Sequence, residues 1–348
     1  MSERSAAAVP RTVTDPLGGD RDVVMLRLDD GLGHTGWGEA SPLAGYSPDD
    51  LDGARRALDH WAAGWAGGGG DGLDSLLDTP SARCAADVAL LDLRARQLGV
   101  PLHALLLDMA TPLRPVERVA VCALVSLPGV ERPGAPAAPT DLPHEVADRV
   151  REGFKVIKFK IGGGPEFPRQ LDQLRAVRAE FPQLEMRLDA NGSWTPGEAR
   201  ERLGELEAAI QPELVEQPVG AAELLTFDDS PVPLAADESL RLPGSVAAVT
   251  RRACMAVVLK PMVLGGPRAC LSLSRIAHAN GARAIVSHTF GGPVAHAASC
   301  ELALALAATD PIGPPLAAGL AGHEDLEQRS GPWIEPKRIR GHGVEVSR

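Results

Sequence analysis

The chain is poor in aromatic side chains, which make up 3% of its 348 residues. Proteins that bind single-stranded nucleic acid stack bases on aromatic rings, so this scarcity argues against that class. Positive charge is also in deficit, because the formal net charge is −11. An acidic surface repels a phosphate backbone, and no nucleic-acid partner is expected. An anionic substrate would need positive charge concentrated locally, from lysines or a metal ion.

Long apolar runs and cysteine pairs are missing as well. The start of the chain has no stretch typical of a signal peptide, and the most apolar later run, 295–308, is too short to cross a bilayer. The five cysteines form no CxxC pair, which favours buried free thiols over disulfides or a zinc site. We therefore expect a cytoplasmic protein without a membrane partner.

The composition that is present is ordinary for a globular protein, with 44% hydrophobic and 23% charged residues. The length suits a barrel joined to a smaller domain. In the first part, residues 21–29 and 31–40 are predicted to contain strands, and residues 49–65 and 81–98 to form helices. Strands followed by helices indicate an α+β unit over residues 1–115.

After about residue 115, short apolar runs alternate with helical stretches, and a charged residue ends several runs. Four such residues are separated by 27, 21 and 23 positions, the length of one βα unit: Asp189, Glu216, Asp237 and Lys260. Residues 116–320 are therefore predicted to form a (β/α) barrel, which needs about 200 residues. A doubly wound open sheet is the alternative, although no GxGxxG or P-loop motif opens its first unit.

Two lysines end the strand-like run VIKFKIG. Lys158 and Lys160 are two residues apart and therefore share one face of a strand. Three large apolar side chains share the other face and would pack on helices: Ile157, Phe159 and Ile161. Both lysines would then point into the barrel. The alternative is an exposed edge strand that carries lysines for solubility.

Three acidic residues follow apolar strands at equivalent points: Asp189, Glu216 and Asp237. Any one of them alone would suit a turn or a helix N-cap. Crowded carboxylates repel each other, so three together favour a cation between them. Oxygen ligands without His or Cys favour Mg²⁺, or Mn²⁺, over Zn²⁺. Because side chains alternate along a strand, Glu238 would point away from the site, which favours Asp237 as the metal ligand. Asn191 lies on the same face as Asp189 and is a candidate to support the metal ligands or to contact the substrate.

The next strand ends in Lys260, across the mouth of the barrel from Lys158 and Lys160. A metal ion holding a substrate carboxylate would stabilise the negative charge that forms when the α-proton leaves. Lys160 can act as the base if its pKa is lowered, and burial and the like charge of Lys158 both act in that direction. The residues predict metal-dependent proton abstraction from a small-molecule carboxylate.

The KxK motif, the three acids and the lysine on the following strand resemble the enolase superfamily, and within it the muconate-lactonizing subgroup. The resemblance covers nearly the whole chain. It implies a modified (β/α)₇β TIM-type barrel over residues 116–320. An N-terminal α+β capping domain over residues 1–115 would be completed by the C-terminal tail, about 321–348.

Further motifs are similar to the o-succinylbenzoate synthase family: GWGEASPLAGYSPDDLDGARRAL, RLDANGSWTP, ADESL and VVLKPMVLGG. That resemblance implies a carbon–oxygen lyase, a dehydratase of menaquinone biosynthesis. Lys160 would abstract the proton and return it to the departing hydroxyl group, and Lys260 would stabilise the enediolate from the other face. Two capping segments would close over the succinyl tail, with Leu17 and Gly19 in one and Tyr46 in the other.

One departure from that family lies in VSHTFGGPVAH, where Gly291 stands in the place of an acid that often follows the seventh strand. Ser287 and His288 end this strand, and we interpret both as substrate contacts. A structural role for His288 is also open. A catalytic role is less favoured, because the subgroup that uses such a histidine pairs it with an acid where Lys260 stands. The departure affects the identity of the substrate more than the mechanism.

Three alternatives remain open from the sequence. A racemase of N-acylamino acids, or a dipeptide epimerase, would use the same metal but would need both lysines to exchange protons. A Schiff-base aldolase would also place a lysine at a strand end, without a metal. A non-catalytic binding protein could keep the fold, although the intact lysines and acids argue against it.

Overall fold

The structure, a computed structural model, describes residues 4–16, 18–69, 72–110, 112–130, 137–139 and 141–346. It begins with an antiparallel sheet in the order β1-β2-β3: β1 (Ser5–Thr14), β2 (Asp20–Asp29) and β3 (Thr35–Ala40). The strand β1 was not predicted, whereas β2 and β3 match the expected runs. Three helices follow: α1 (Leu51–Ala66), α2 (Pro80–Leu98) and α3 (Leu102–Asp108).

The first sheet packs closely on α2. A Cβ atom on Gly36 or Gly38 would overlap the backbone of Ala89 or Ala85, so only glycine allows β3 to approach the helix at these two points. The start of α1 differs from the prediction. The side chain of Asp50 caps it by accepting a hydrogen bond from the amide of Gly53, so the helix begins two residues after position 49.

Seven parallel strands form the main sheet, and they lie side by side in chain order: β5 (Ala123–Ser126), β6 (Val156–Lys160), β7 (Glu185–Asp189), β8 (Leu214–Glu216), β9 (Leu234–Ala236), β10 (Cys254–Leu259) and β11 (Arg283–Val286). Residues 318 and 319 pair with Val121 and Ser287 and thereby close the sheet into a barrel. The predicted TIM-type barrel with an N-terminal cap is confirmed, and the open-sheet alternative is wrong.

Helices alternate with the barrel strands: α4 (Leu142–Arg151), α5 (Phe167–Glu180), α6 (Pro196–Ile210), α7 (Ala221–Leu224), α8 (Ser245–Thr250), α9 (Pro261–Leu264), α10 (Pro267–Ala279) and α11 (Pro293–Thr309). The largest apolar core lies between these helices and the outward faces of the strands. All five cysteines are buried and unpaired, as expected. Within the described part of the chain, no helix combines the length and apolar content needed to span a membrane.

The run of residues 119–126 is divided between two sheets. Its first part, β4 (Val119–Ala120), pairs with β13 (Trp333–Ile334), which in turn pairs with β12 (Arg329–Ser330). Only its second part, β5, joins the barrel. The C-terminal segment also contacts the cap, since the amide of Leu102 donates to Gly341 O at 2.7 Å.

Candidate active site

Strand register places three of the predicted site residues in one row. Lys160 on β6 lies opposite Asp189 on β7, and Asp189 lies opposite Glu216 on β8. Neighbouring strands are about 4.8 Å apart, so their inward side chains are in direct contact distance. Lys158 lies one layer deeper on the same face. Because β6 is paired on both sides, the edge-strand interpretation of the two lysines is wrong.

The lysines and acids of this row form a buried ion-pair cluster. The Nζ atom of Lys158 lies 2.7 Å from Asp189 Oδ2 and 2.7 Å from Glu216 Oε2. Lys160 Nζ donates to Asp189 Oδ2 at 2.6 Å and to Asn191 Oδ1 at 2.9 Å. Asn191 also donates its backbone amide to Asp189 Oδ1, from a left-handed backbone position at φ 47°. The cluster therefore orients Asn191 as well as the charged groups.

A second group of contacts lies across the mouth. Lys260 follows β10, and three strands separate it from β6. Its Nζ atom donates to Asp237 Oδ2 at 2.5 Å and to the hydroxyl oxygen of Tyr46 at 2.8 Å. The Tyr46 hydroxyl donates in turn to Asp237, at 2.9 and 3.0 Å from its two oxygens. A residue of the N-terminal cap is thus part of the barrel mouth.

Burial and crowding shift the pKa values of these groups in different directions. Burial, together with the negative charge of Asp189, raises the pKa of Glu216 to about 8. Burial also lowers the pKa of Lys160, which the charge of Asp189 offsets only in part. For Lys260, burial acts in the same direction, but Asp237 and other negative neighbours outweigh it and raise the pKa. The two lysines that face each other are therefore electrostatically unlike.

The acidic side chains fit a divalent cation in their chemistry. They are oxygen donors on adjacent strand ends, and Glu216 Oε1 is buried without a hydrogen-bond partner. Within the described ranges, no three His, Cys, Asp or Glu side chains stand close enough to form a ready metal site. The ammonium group of Lys158 lies between Asp189 and Glu216, that of Lys260 contacts Asp237, and both supply positive charge there. Binding a cation would require these lysines to shift away from the acids.

The structure also brings Glu238 to the mouth, where its Oε1 accepts from Asn191 Nδ2 at 3.0 Å. The alternation of side chains along β9 had predicted that Glu238 points away from the mouth. The strand ends at Ala236, however, and a short 3₁₀ helix begins at Glu238 itself. The period of two no longer applies there. A signal was present in the sequence, because a second acid follows Asp237 directly.

Two cavities of about 250 Å³ and about 230 Å³ meet at the lysines. Four residues line both: Lys160, Lys260, His288 and Phe290. Of the other predicted substrate contacts, Ser287 lines the first cavity, and Tyr46 and Asn191 line the second. Gly19 lines neither, since it lies in an exposed turn closed on Asp15, and Pro16 lines the first cavity in its place. Leu17 lies outside the described residues.

The imidazole of His288 is buried beside other rings. Burial, with the nearby charges of His323 and Lys260, lowers the pKa of His288 to about 3, so the ring is neutral at ordinary pH. Its ring centre lies 4.9 Å from those of Phe290 and His296. A neutral, packed imidazole suits a wall of the cavity better than a base.

The absence of a side chain at Gly291 has a physical reason in the cap. A Cβ atom there would lie 2.7 Å from Ser41 Oγ and 3.2 Å from Glu39 Oε1. The carboxylate of Glu39 accepts hydrogen bonds from the amides of Gly292 at 2.6 Å and Ala295 at 3.2 Å, at the start of α11. Glu39, an acid of β3, therefore lies next to the position where the family often has an acid after the seventh strand.

Fold and site together define a capped parallel barrel with acids and lysines converging at the carboxyl ends of its strands. The chain belongs to the enolase C-terminal domain-like family, which matches residues 141–348. It is a member of the enolase superfamily, as the sequence motifs indicated.

Curated relatives carry two kinds of names. A hydrophobic dipeptide epimerase of Roseobacter litoralis is 32% identical over 73% of this chain and 72% of its own length. An o-succinylbenzoate synthase of Salmonella arizonae is 30% identical over 77% of this chain and 74% of its own length. An L-Ala-D/L-Glu epimerase of Clostridium acetobutylicum is 30% identical over 66% of this chain but only 62% of its own length, which is less than two thirds.

Solved structures share the fold over the full chain. A dipeptide epimerase from Enterococcus faecalis V583, complexed with Mg and the dipeptide L-Leu-L-Tyr, has a TM-score of 0.77 at 22% identity, with 99% of each chain covered. A muconate lactonizing enzyme has a TM-score of 0.80 at 21% identity, covering 99% of this chain and 97% of its own. At these identities the likeness shows the fold alone.

Proposed function

We propose that this chain is an Mg²⁺-dependent enzyme, with Mn²⁺ as a possible substitute, that removes the proton next to a substrate carboxylate. The observation that carries the proposal is the placement of Lys160 and Lys260 on the two sides of the acid cluster. Lys160, whose pKa burial lowers, is the proposed base, and Lys260 is the proposed cationic group on the other side. Asp189, Glu216 and Asp237 would hold the cation, which would neutralise the substrate carboxylate and stabilise the charge that develops.

The charges of the mouth support a carboxylate substrate. Three lysines face four acids when Glu238 is counted. A divalent cation held by the acids would offset their excess of negative charge and present a positive centre to a substrate carboxylate. The Lys260 ammonium group would then stabilise the enediolate electrostatically from the face opposite Lys160.

Among the reactions of this kind we propose dehydration that forms o-succinylbenzoate. Dehydration needs one lysine to move the proton, since Lys160 can take it from carbon and return it to the departing hydroxyl group as water forms. The lowered pKa of Lys160 and the synthase among the curated relatives both favour this reaction. Tyr46 and Asn191 on one side, and Ser287 and His288 on the other, are proposed to contact the substrate.

Epimerisation of dipeptides or racemisation of N-acylamino acids is the second candidate. The epimerases among the relatives favour it, and so does Glu324, an exposed acid on the wall of the first cavity that could pair with an ammonium group. That reaction needs Lys160 and Lys260 to exchange protons on opposite faces.

One experiment separates the candidates. The purified protein is given Mg²⁺ and the cyclohexadiene hydroxy-acid precursor of o-succinylbenzoate, and aromatisation is followed by ultraviolet absorbance. In parallel, N-succinyl amino acids and dipeptides of single configuration are incubated in D₂O. Dehydration without exchange into both configurations supports the synthase. Racemisation with deuterium in both configurations, and no aromatisation, would move the assignment to the second candidate.

A further inference from the structure

The loop between β11 and α11, residues 288–292, contributes to the walls of both cavities through the rings of His288 and Phe290. The backbone of Phe290 has a φ of 54°, a left-handed conformation that a residue with a bulky side chain rarely adopts. Among the described residues, no hydrogen bond between two backbone groups involves residues 289–291. Side chains from other parts of the chain must therefore hold the loop in this shape.

A half-buried arginine of the cap contacts the middle of this loop. The Nη1 atom of Arg21, on β2, donates to Thr289 O at 2.6 Å and also to Phe290 O. Its Nη2 atom donates to Ser41 O, at the end of β3, at 2.6 Å. One guanidinium group thus joins two carbonyl groups of the loop to the cap, and it does so at the residue with the left-handed backbone.

A buried acid of the cap contacts the end of the same loop. The carboxylate of Glu39 accepts hydrogen bonds from the amides of Gly292 and Ala295. Amide groups at the start of a helix have no partner within the helix, so the carboxylate satisfies two groups that would otherwise be unpaired. The cap therefore presents a cation to two carbonyl groups and an anion to two amide groups of one short segment.

We propose that Arg21 and Glu39 are positioning residues that hold loop 288–292 in the shape that places the Phe290 ring in the walls of both cavities, and so determine which substituents of the substrate fit there. This inference rests on the proposed function and deepens it. Neither residue lines either cavity, and both bond the loop through its backbone, so their effect on the substrate passes through Phe290. In the described structure their hydrogen bonds involve none of the three proposed metal ligands, and a bound cation would not compete for them.

The first measurement needs neither substrate nor metal. The six phenylalanines are replaced by para-fluorophenylalanine, and the fluorine NMR signal that disappears in Phe290→Leu is assigned to Phe290. Arg21→Met keeps a long side chain but cannot donate to the loop, so we expect the Phe290 signal to shift and broaden while the signals of the other phenylalanines stay. The matched control is Arg27→Met on the same strand, whose guanidinium bonds Asp29 within the cap at 2.9 Å and should leave the Phe290 signal unmoved. An unchanged Phe290 signal in a folded Arg21→Met protein would overturn the proposal.

A second measurement covers the case in which Arg21→Met does not fold. In the parent protein, exchange of the Gly292 and Ala295 amides with solvent deuterium reports the contact with Glu39 directly. We expect both amides to exchange many-fold more slowly than those of an unstructured peptide. Exchange at the rate of an unstructured peptide would overturn the proposal.

The functional readout is a double-mutant cycle on the substrate that the protein turns over. Arg21→Met should raise KM several-fold and change kcat much less, because the proposed base and metal ligands lie on other strands. If Arg21 acts through Phe290, the double variant Arg21→Met/Phe290→Leu should have a KM no higher than the more affected single variant. A merely structural role would give independent effects that multiply. Effects that multiply, or an unchanged KM in Arg21→Met, would overturn the proposal.

Failure of the proposed function has a different signature. If the parent protein acts on no substrate tested, the proposed function fails, whereas the fluorine signal still decides whether Arg21 positions Phe290.

Discussion

Replacing Lys160 by alanine tests the proposed base most directly. The ammonium group of Lys160 bonds only Asp189 and Asn191 among the described residues, and its side chain is 12% exposed. After truncation, Asp189 keeps Lys158 at 2.7 Å and the amide of Asn191 at 3.0 Å. The stability loss should therefore be about 1 kcal/mol. Loss of a general base costs about 10²–10⁴ in rate, or about 3–5 kcal/mol of barrier.

Turnover of Lys160→Ala is measured by ultraviolet absorbance and by α-deuterium exchange, with thermal unfolding as the test of folding. The control is Lys155→Ala, which removes an exposed lysine just before the same strand. In the parent enzyme, kcat/KM should rise with pH as Lys160 loses its proton. Because burial lowers the pKa of Lys160, the rise should level off at a pH below the usual lysine pKa of about 10.4. A folded Lys160→Ala protein that keeps either turnover or exchange would refute the role of Lys160.

Three further predictions concern the metal, the cap and a buried charge. Chelation should stop catalysis and Mg²⁺ should restore it in a steady-state assay; full activity after metal removal would contradict the ligand assignment. Gly291→Asp should lower the free energy of unfolding by about 1–3 kcal/mol, because the new side chain would overlap Ser41 and face the charge of Glu39; an unchanged denaturation midpoint would argue against this contact. Arg329→Met should raise the free energy of unfolding by about 1–2 kcal/mol. The reason is that Arg329 is 6% exposed and the three nitrogens of its guanidinium group have no hydrogen-bond partner in the described structure. The measurement is urea denaturation, and a lower midpoint in Arg329→Met would refute the reasoning.

The inward direction of the lysines and acids could be predicted because a strand has a period of two. Lys158 and Lys160 share a face whatever their neighbours are, and parallel strand ends meet at one mouth. The same reasoning could not predict that residues 119–126 are shared between two sheets. Residues 119–125 are all apolar, and the division depends on β13, which lies more than 200 positions further along the chain.

Glu238 and Gly19 show where local pattern stops being informative. At Glu238 the chain leaves the strand for a 3₁₀ helix, and the direction of the side chain then depends on a turn geometry that alternation does not describe. Gly19 was predicted to contact the substrate, but Pro16 lines the cavity and Gly19 does not, because Gly19 lies in a turn closed by Asp15. Loop residues take their positions from local hydrogen bonds rather than from a periodic face.

Dehydration and racemisation place different demands on the two lysines of the mouth. Both reactions can use the same acids and the same two lysines, so the motifs of the barrel cannot distinguish them. The two lysines become unlike only through their surroundings, and for Lys260 these include Tyr46, a residue of another part of the chain.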